Sequence, residues 1–103
     1  MKDLKKLDQK AVEAKYGRRF NELGKIIEKH DPMGFMAFEG MKGEYDLEVK
    51  TIIVQLEKDM SVEEVHNLVF QEFVRWFEEA AGEKEAYKEL AKEVWEWNRS
   101  KVV

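Results

Sequence analysis

Glu63 and His66 stand three residues apart, the Glu-x-x-His spacing that di-iron bundles place on each of two helices to hold their metals. The chain carries that pattern once. Its other histidine, His30, has Ile27 where the second glutamate would have to be, so no metal site is expected. There is no cysteine, which removes thiolate metal centres, disulfides and cysteine nucleophiles together. No serine–histidine–acid trio and no glycine-rich phosphate loop can be picked out. Ser61 is committed to capping a helix and Ser100 sits near the chain end. Catalytic residues, cofactors and metals are therefore all expected to be none, and the chain is not expected to be an enzyme.

Four other groups could do binding chemistry. The acids Glu39, Glu44, Asp46 and Glu48 crowd one loop and helix start, where carboxylates complement the positive end of the helix dipole. They are expected to cap and to lie on the surface, with an acidic docking face as the functional alternative. No Asp-x-Asp-x-Asp-Gly run supports calcium. Met33, Phe35, Met36 and Phe38 form a greasy cluster around the only proline; it is expected to plug into the core, since four large exposed apolar groups would make a patch that soluble monomers rarely show. Lys15, Arg18 and Arg19 with Tyr16 and Phe20 could touch phosphate, but three charges release few counterions, and a solvated helix face is the expectation. Trp76 and Trp95 fall in phase with apolar stripes and are expected in the core. Trp97 is out of phase with Trp95 and is expected to face outward, a candidate self-association surface.

The charge is unevenly spread. The 103 residues carry a net −4. Residues 1–30 are net +4 and residues 31–103 net −8, and the stretch 39–72 holds nine acids against three lysines. An acidic chain is a poor nonspecific binder of nucleic acid, and it suits a basic protein partner better. No apolar run approaches the ~20 residues that span a bilayer, and no signal-peptide core follows the charged start. A single domain over 1–103, soluble and cytoplasmic, is the expectation.

The elements that would position these groups are helical. Leu4, Leu7, Ala11, Val12 and Tyr16 make a thin stripe that Gly17 interrupts; Phe20, Leu23, Ile26 and Ile27 make a core-facing one. Whether residues 1–29 form one bent helix or two is open from the pattern. Asp31–Pro32 should end that helix, and the same pair can open a short apolar helical turn as N-cap and N1. Tyr45, Val49, Ile52, Ile53 and Leu56 predict a helix despite the β-branched run, because Ile52, Ile53 and Val54 are consecutive and break strand alternation. Ser61 and Glu64 predict a capping box, with a long helix through Val65, Leu68, Val69, Phe73, Trp76, Phe77 and Ala80 to a C-cap at Gly82. A last helix from about Glu83 presents Tyr87, Leu90, Ala91, Val94 and Trp95. The sum is an all-α fold, a small antiparallel bundle of four to five helices with a short apolar helical turn after Asp31–Pro32.

The segments HDPMGF, EYDLEV and EFVRWF, with the Ile52–Ile53 pair between the last two, resemble the YugE-like family of small all-α bacterial proteins over roughly residues 18–78. His30 stands where that family usually has tryptophan, and GMKG replaces a loop that usually contains proline. The resemblance implies a small helical bundle and no activity. The functional expectation is thus a protein-interaction module, immunity- or antitoxin-like, engaging a basic partner through Glu39, Glu44, Asp46, Glu48 and Trp97. The alternatives are a homo-oligomer built on the Trp97 end and a ligand-binding bundle around Tyr45, His66 and His30.

Overall fold

The computed structural model describes residues 4–35 and 43–100. Five α-helices run through them, α1 Gln9–Tyr16, α2 Arg18–His30, α3 Asp46–Ile53, α4 Val62–Phe77 and α5 Lys88–Ser100, with no strand among the described residues. Short 3-10 turns at Leu4–Lys6, Glu78–Ala81 and Lys84–Tyr87 fill the connections. The all-α bundle read from the sequence is the fold. None of its helices is long and apolar enough to cross a membrane, among the described residues.

From Gln9 to His30 the chain forms two helices rather than one. Gly17 adopts φ +55°, ψ −124°, a conformation nearly closed to residues with a Cβ, and its N–H closes α1 on the Glu13 carbonyl at 2.8 Å. α2 then buries Phe20, Leu23 and Ile27 and ends at Asp31 in the left-handed region, φ +46°. Asp31 therefore caps the helix before it. A turn follows, closed by Gly34 N–H to the Asp31 carbonyl at 3.0 Å. Met33 and Phe35 beyond it pack against the core, while Met36 and Phe38 lie outside the described residues.

The corner is held by Tyr45. Its hydroxyl donates to Asp31 Oδ1 at 2.7 Å and accepts the Met33 N–H at 2.9 Å, and its ring packs 5.3 Å from Phe35 and 6.0 Å from Phe73. Burial, reinforced by the Asp31 hydrogen bond, holds its phenol well above the ordinary range. The aromatic run continues from Phe73 to Phe77 at 5.9 Å and Tyr87 at 5.0 Å, which stitches α4 to the turn before α5.

α3 lies at the centre, packed by α1, α2 and α4. Every residue from Glu48 to Ile53 is buried, so the helix has no solvent face over that stretch. Leu56 falls beyond its end. α4 opens on the expected capping box: Ser61 Oγ accepts from Glu64 N–H at 3.1 Å, and Glu64 Oε1 from Ser61 N–H at 2.8 Å. It stops earlier than expected, at Phe77. Glu78 turns to φ +51°, and the 3-10 turn that follows buries Ala81 in place of Ala80 before Gly82 closes it at φ +79°. Tyr87 Oη donates to the Ala81 carbonyl, which gives that irregular turn a buried purpose.

Tyr45→Phe keeps the ring and strips the corner of its two hydrogen bonds, leaving the Met33 N–H without that acceptor. It should cost about 1–3 kcal/mol in urea unfolding, and a loss below a few tenths would show that the corner is held by ring packing alone.

Candidate interaction site

Two carboxylates from two helices line one surface cleft, and the charge of a third acts on it from α1. Asp46 opens α3, Glu28 lies in the last turns of α2 and Glu13 in α1. The Asp46 carboxyl is raised above the usual range, first by burial and then by the charges of Glu13 and Glu28. Glu28 and Asp46 line an open cleft of about 240 Å³ with Phe20, Asn21, Gly24 and Lys25. Its floor is the α2–α3 contact, where Gly24 leaves the backbone bare opposite Val49. Asp46 is held by the turn before it. Its N–H donates to the Gly43 carbonyl at 3.1 Å, and a Cβ on Gly43 (φ +83°) would press to 3.3 Å from the Asp46 carboxylate. Glu44, exposed, adds a fourth acid beside it.

The acids predicted from the sequence thus separate. Glu44 and Asp46 reach the surface, and Glu39 lies outside the described residues. Glu48 does not reach the surface. It is 1% exposed, because α3 has no solvent face from Glu48 to Ile53. Its Oε1 has no hydrogen-bond partner, and burial, with smaller contributions from Asp46 and Glu44, pushes its carboxyl up to about 7. Glu13 and Glu28 escaped the sequence reading, because they lie far along the chain from Asp46 and nothing in local spacing links them.

Glu72 on α4 shows what Glu48 lacks. It is fully buried too, yet Arg75 grips it at 2.7 and 3.2 Å and Gln71 donates at 3.2 Å. Burial raises its carboxyl, and the hydrogen bonds of Arg75, Gln55, Thr51 and Gln71 more than offset that, leaving it lowered. Lys50, 3% exposed, is satisfied differently. Its ammonium donates to the carbonyls of Lys5 and Leu7 at 3.1 and 3.0 Å and lies 5.5 Å from the centroid of Trp76, which ties the N-terminal turn to α3.

Trp97 is half-buried against the core, not turned out to solvent as expected. Its indole N–H donates to Glu22 at 2.9 Å, and the Arg19 guanidinium lies 4.9 Å over its ring. Arg19 also donates to buried Asn98 at 2.8 Å, so it stitches α2 to α5 instead of standing on a solvated face. Trp76 and Trp95 are half-buried, and the Trp76 N–H reaches Thr51 Oγ1 at 3.1 Å.

The two histidines and Tyr45 do not assemble a site. His66 Nε2 bonds the Lys84 carbonyl at 2.8 Å, and His30 Nε2 bonds Glu93 Oε1 at 2.8 Å beside the Lys29–Glu93 pair. Tyr45 is spent on Asp31 and Met33. Among the described residues no three side chains are grouped to hold a metal ion. No protein-family model, curated protein or solved structure matches the chain. The geometry alone carries the functional reading.

The raised carboxyl of Glu48 fixes a sign. The folded protein holds this proton more tightly than the unfolded chain, whose ordinary value is 4.5, so stability is greatest below about 4.5 and falls as pH rises through about 7. The full loss is about 3 kcal/mol. Lowered Glu72 and Glu93 act in the other direction, at the acid end below that window. Glu48→Gln should remove the decline between about pH 5 and about pH 8, measured by urea unfolding across that range; a variant whose stability still falls by the same amount contradicts the assignment.

Proposed function

We propose that the protein is a cytoplasmic interaction module, without catalytic activity of its own, that binds a basic protein partner at the cleft between α2 and α3. The observation that carries this reading is the pair Glu28 and Asp46 lining one open cleft from separate helices, with the charge of Glu13 also acting on Asp46, whose carboxyl is raised first by burial and then by these two acids. Like charges held together at a surface cost the free protein energy, and a lysine or arginine seated between them relieves that cost. Phe20 and the bare backbone at Gly24 offer a floor for the aliphatic stem of such a side chain. A basic enzyme neutralised by a small acidic helical protein, in the manner of immunity proteins and antitoxins, is the concrete form of this chemistry. The YugE-like resemblance over residues 18–78 supports the helical scaffold and adds no activity to it.

The reading depends on electrostatics at defined residues. A basic protein captured on the wild-type chain at low salt should be released at high salt and should not be retained by the Glu28→Gln/Asp46→Asn double variant. Each exposed charge pair is worth about 0.2–1 kcal/mol, so the double variant should weaken binding several-fold in a titration. Equal retention by wild type and variant would remove the cleft from the interface.

A further inference from the structure

A larger depression on the described surface is apolar and lies apart from the acidic cleft. It runs along α1, between the Leu4–Lys6 turn and the end of α3, with a volume of about 460 Å³. Leu4, Leu7, Ala11, Val12 and Val54 line it, with Gln55 at its side and Lys15 and Tyr16 at the C-terminal end of α1. Leu4, Leu7 and Ala11 fall at i, i+3 and i+7, a stripe that the thin first helix does not fully bury: Leu4 and Leu7 are half-exposed and Ala11 is exposed. The groove is thus an apolar trough with one ammonium at an end.

The charges along it are mostly basic. The segment from Leu4 to Gly17 holds Lys6, Lys10 and Lys15, besides Lys5, which lies over the Trp76 ring, against Asp8 and Glu13. Asp8 caps α1 through the Lys10 N–H at 3.1 Å, and Glu13 accepts from Gln9 at 2.9 Å while its charge acts on Asp46. Among the described residues no carboxylate forms an ion pair with Lys15, whose ammonium rests 5.6 Å from the centroid of the Tyr16 ring. Gly17, immediately past Tyr16, is the N-cap of α2 and provides no side-chain cap, and Arg18 is the first helical residue, so the positive end of a 13-residue helix adjoins the same end of the trough. An occupant that matches needs an apolar chain and a single negative head.

We propose that this groove binds a single-chain amphiphile with an anionic head, an acyl carboxylate, with its tail along Leu4, Leu7, Ala11 and Val54 and its head at Lys15. The tail displaces water from the exposed stripe, at about 0.8 kcal/mol for each methylene buried. The carboxylate supplies the partner that Lys15 lacks. A neutral head forfeits that pairing and a cationic head is repelled, so at equal chain length the head charge sets the preference.

Titration of the 13C-labelled chain with decanoate, decanol and decyltrimethylammonium, each below its micellar concentration, tests this. Decanoate should shift the methyls of Leu4, Leu7 and Val54 saturably and leave Glu28 and Asp46 unmoved, which separates this site from the acidic cleft. Decanol should bind more weakly and the cation least. Lys15→Gln, at an exposed position, should cost decanoate about three- to fivefold in affinity and leave decanol unchanged, the worth of one exposed charge pair. Ala11→Trp should block the trough, with thermal unfolding confirming that the variant folds. Equal binding of decanoate and decanol, an unaltered Lys15→Gln, or shifts confined to other parts of the bundle would each overturn the proposal.

Discussion

Enclosure of a short helix from Glu48 to Ile53 is the constraint on which the rest of this structure depends. α3 is too short to be stable by itself, since isolated helices of that length are marginal even with favourable sequences. It exists because α1, α2 and α4 surround it, and they in turn rest on its Val49, Ile52 and Ile53. Enclosure also takes in whatever polar side chains the sequence places there. Thr51 is matched by the Trp76 indole, Lys50 by two carbonyls and an aromatic face, and Glu48 by nothing at Oε1. The helix is therefore the anchor of the fold and the place where it carries an electrostatic cost.

That constraint explains which parts of the structure were legible in the sequence. The helix over Asp46–Ile53 could be told from a strand because three β-branched residues in a row defeat alternation. The start of α4 could be placed because a capping box is a local device, written in Ser61 and Glu64. The burial of Glu48 and Lys50 could not be read, because a charged residue is assigned to a solvent face by default, and α3 has none from Glu48 to Ile53. The early end of α4 was hidden for a similar reason. Gly82 offered a natural stop, but the buried hydrogen bond from Tyr87 to Ala81 favours a positive φ at Glu78 and a tighter turn ahead of it. Trp97 was misplaced because its partners, Glu22 and Arg19, come from a helix more than seventy residues earlier.

The surface follows the same division between local and distant information. Crowding of acids at residues 39–48 was visible as composition, whereas the site that the fold builds takes Asp46 from that crowd and adds Glu28 from elsewhere. The basic first thirty residues and the acidic remainder do not form opposed halves. α1 carries Glu13, whose charge acts on Asp46, and Lys15, which lines the apolar trough, within one turn of each other. A short first helix thereby bears on two surfaces of different chemistry, and Lys50, buried on α3, holds the turn before it in place.

Native-state hydrogen exchange of the α3 amides tests the enclosure most directly. If the surrounding helices hold α3, the amides of Val49–Ile53 exchange only when the whole chain unfolds, with the same free energy as the most protected amides of α4. Exchange of those amides at the rate of the exposed ends of α1 would show that α3 opens independently and does not anchor the fold.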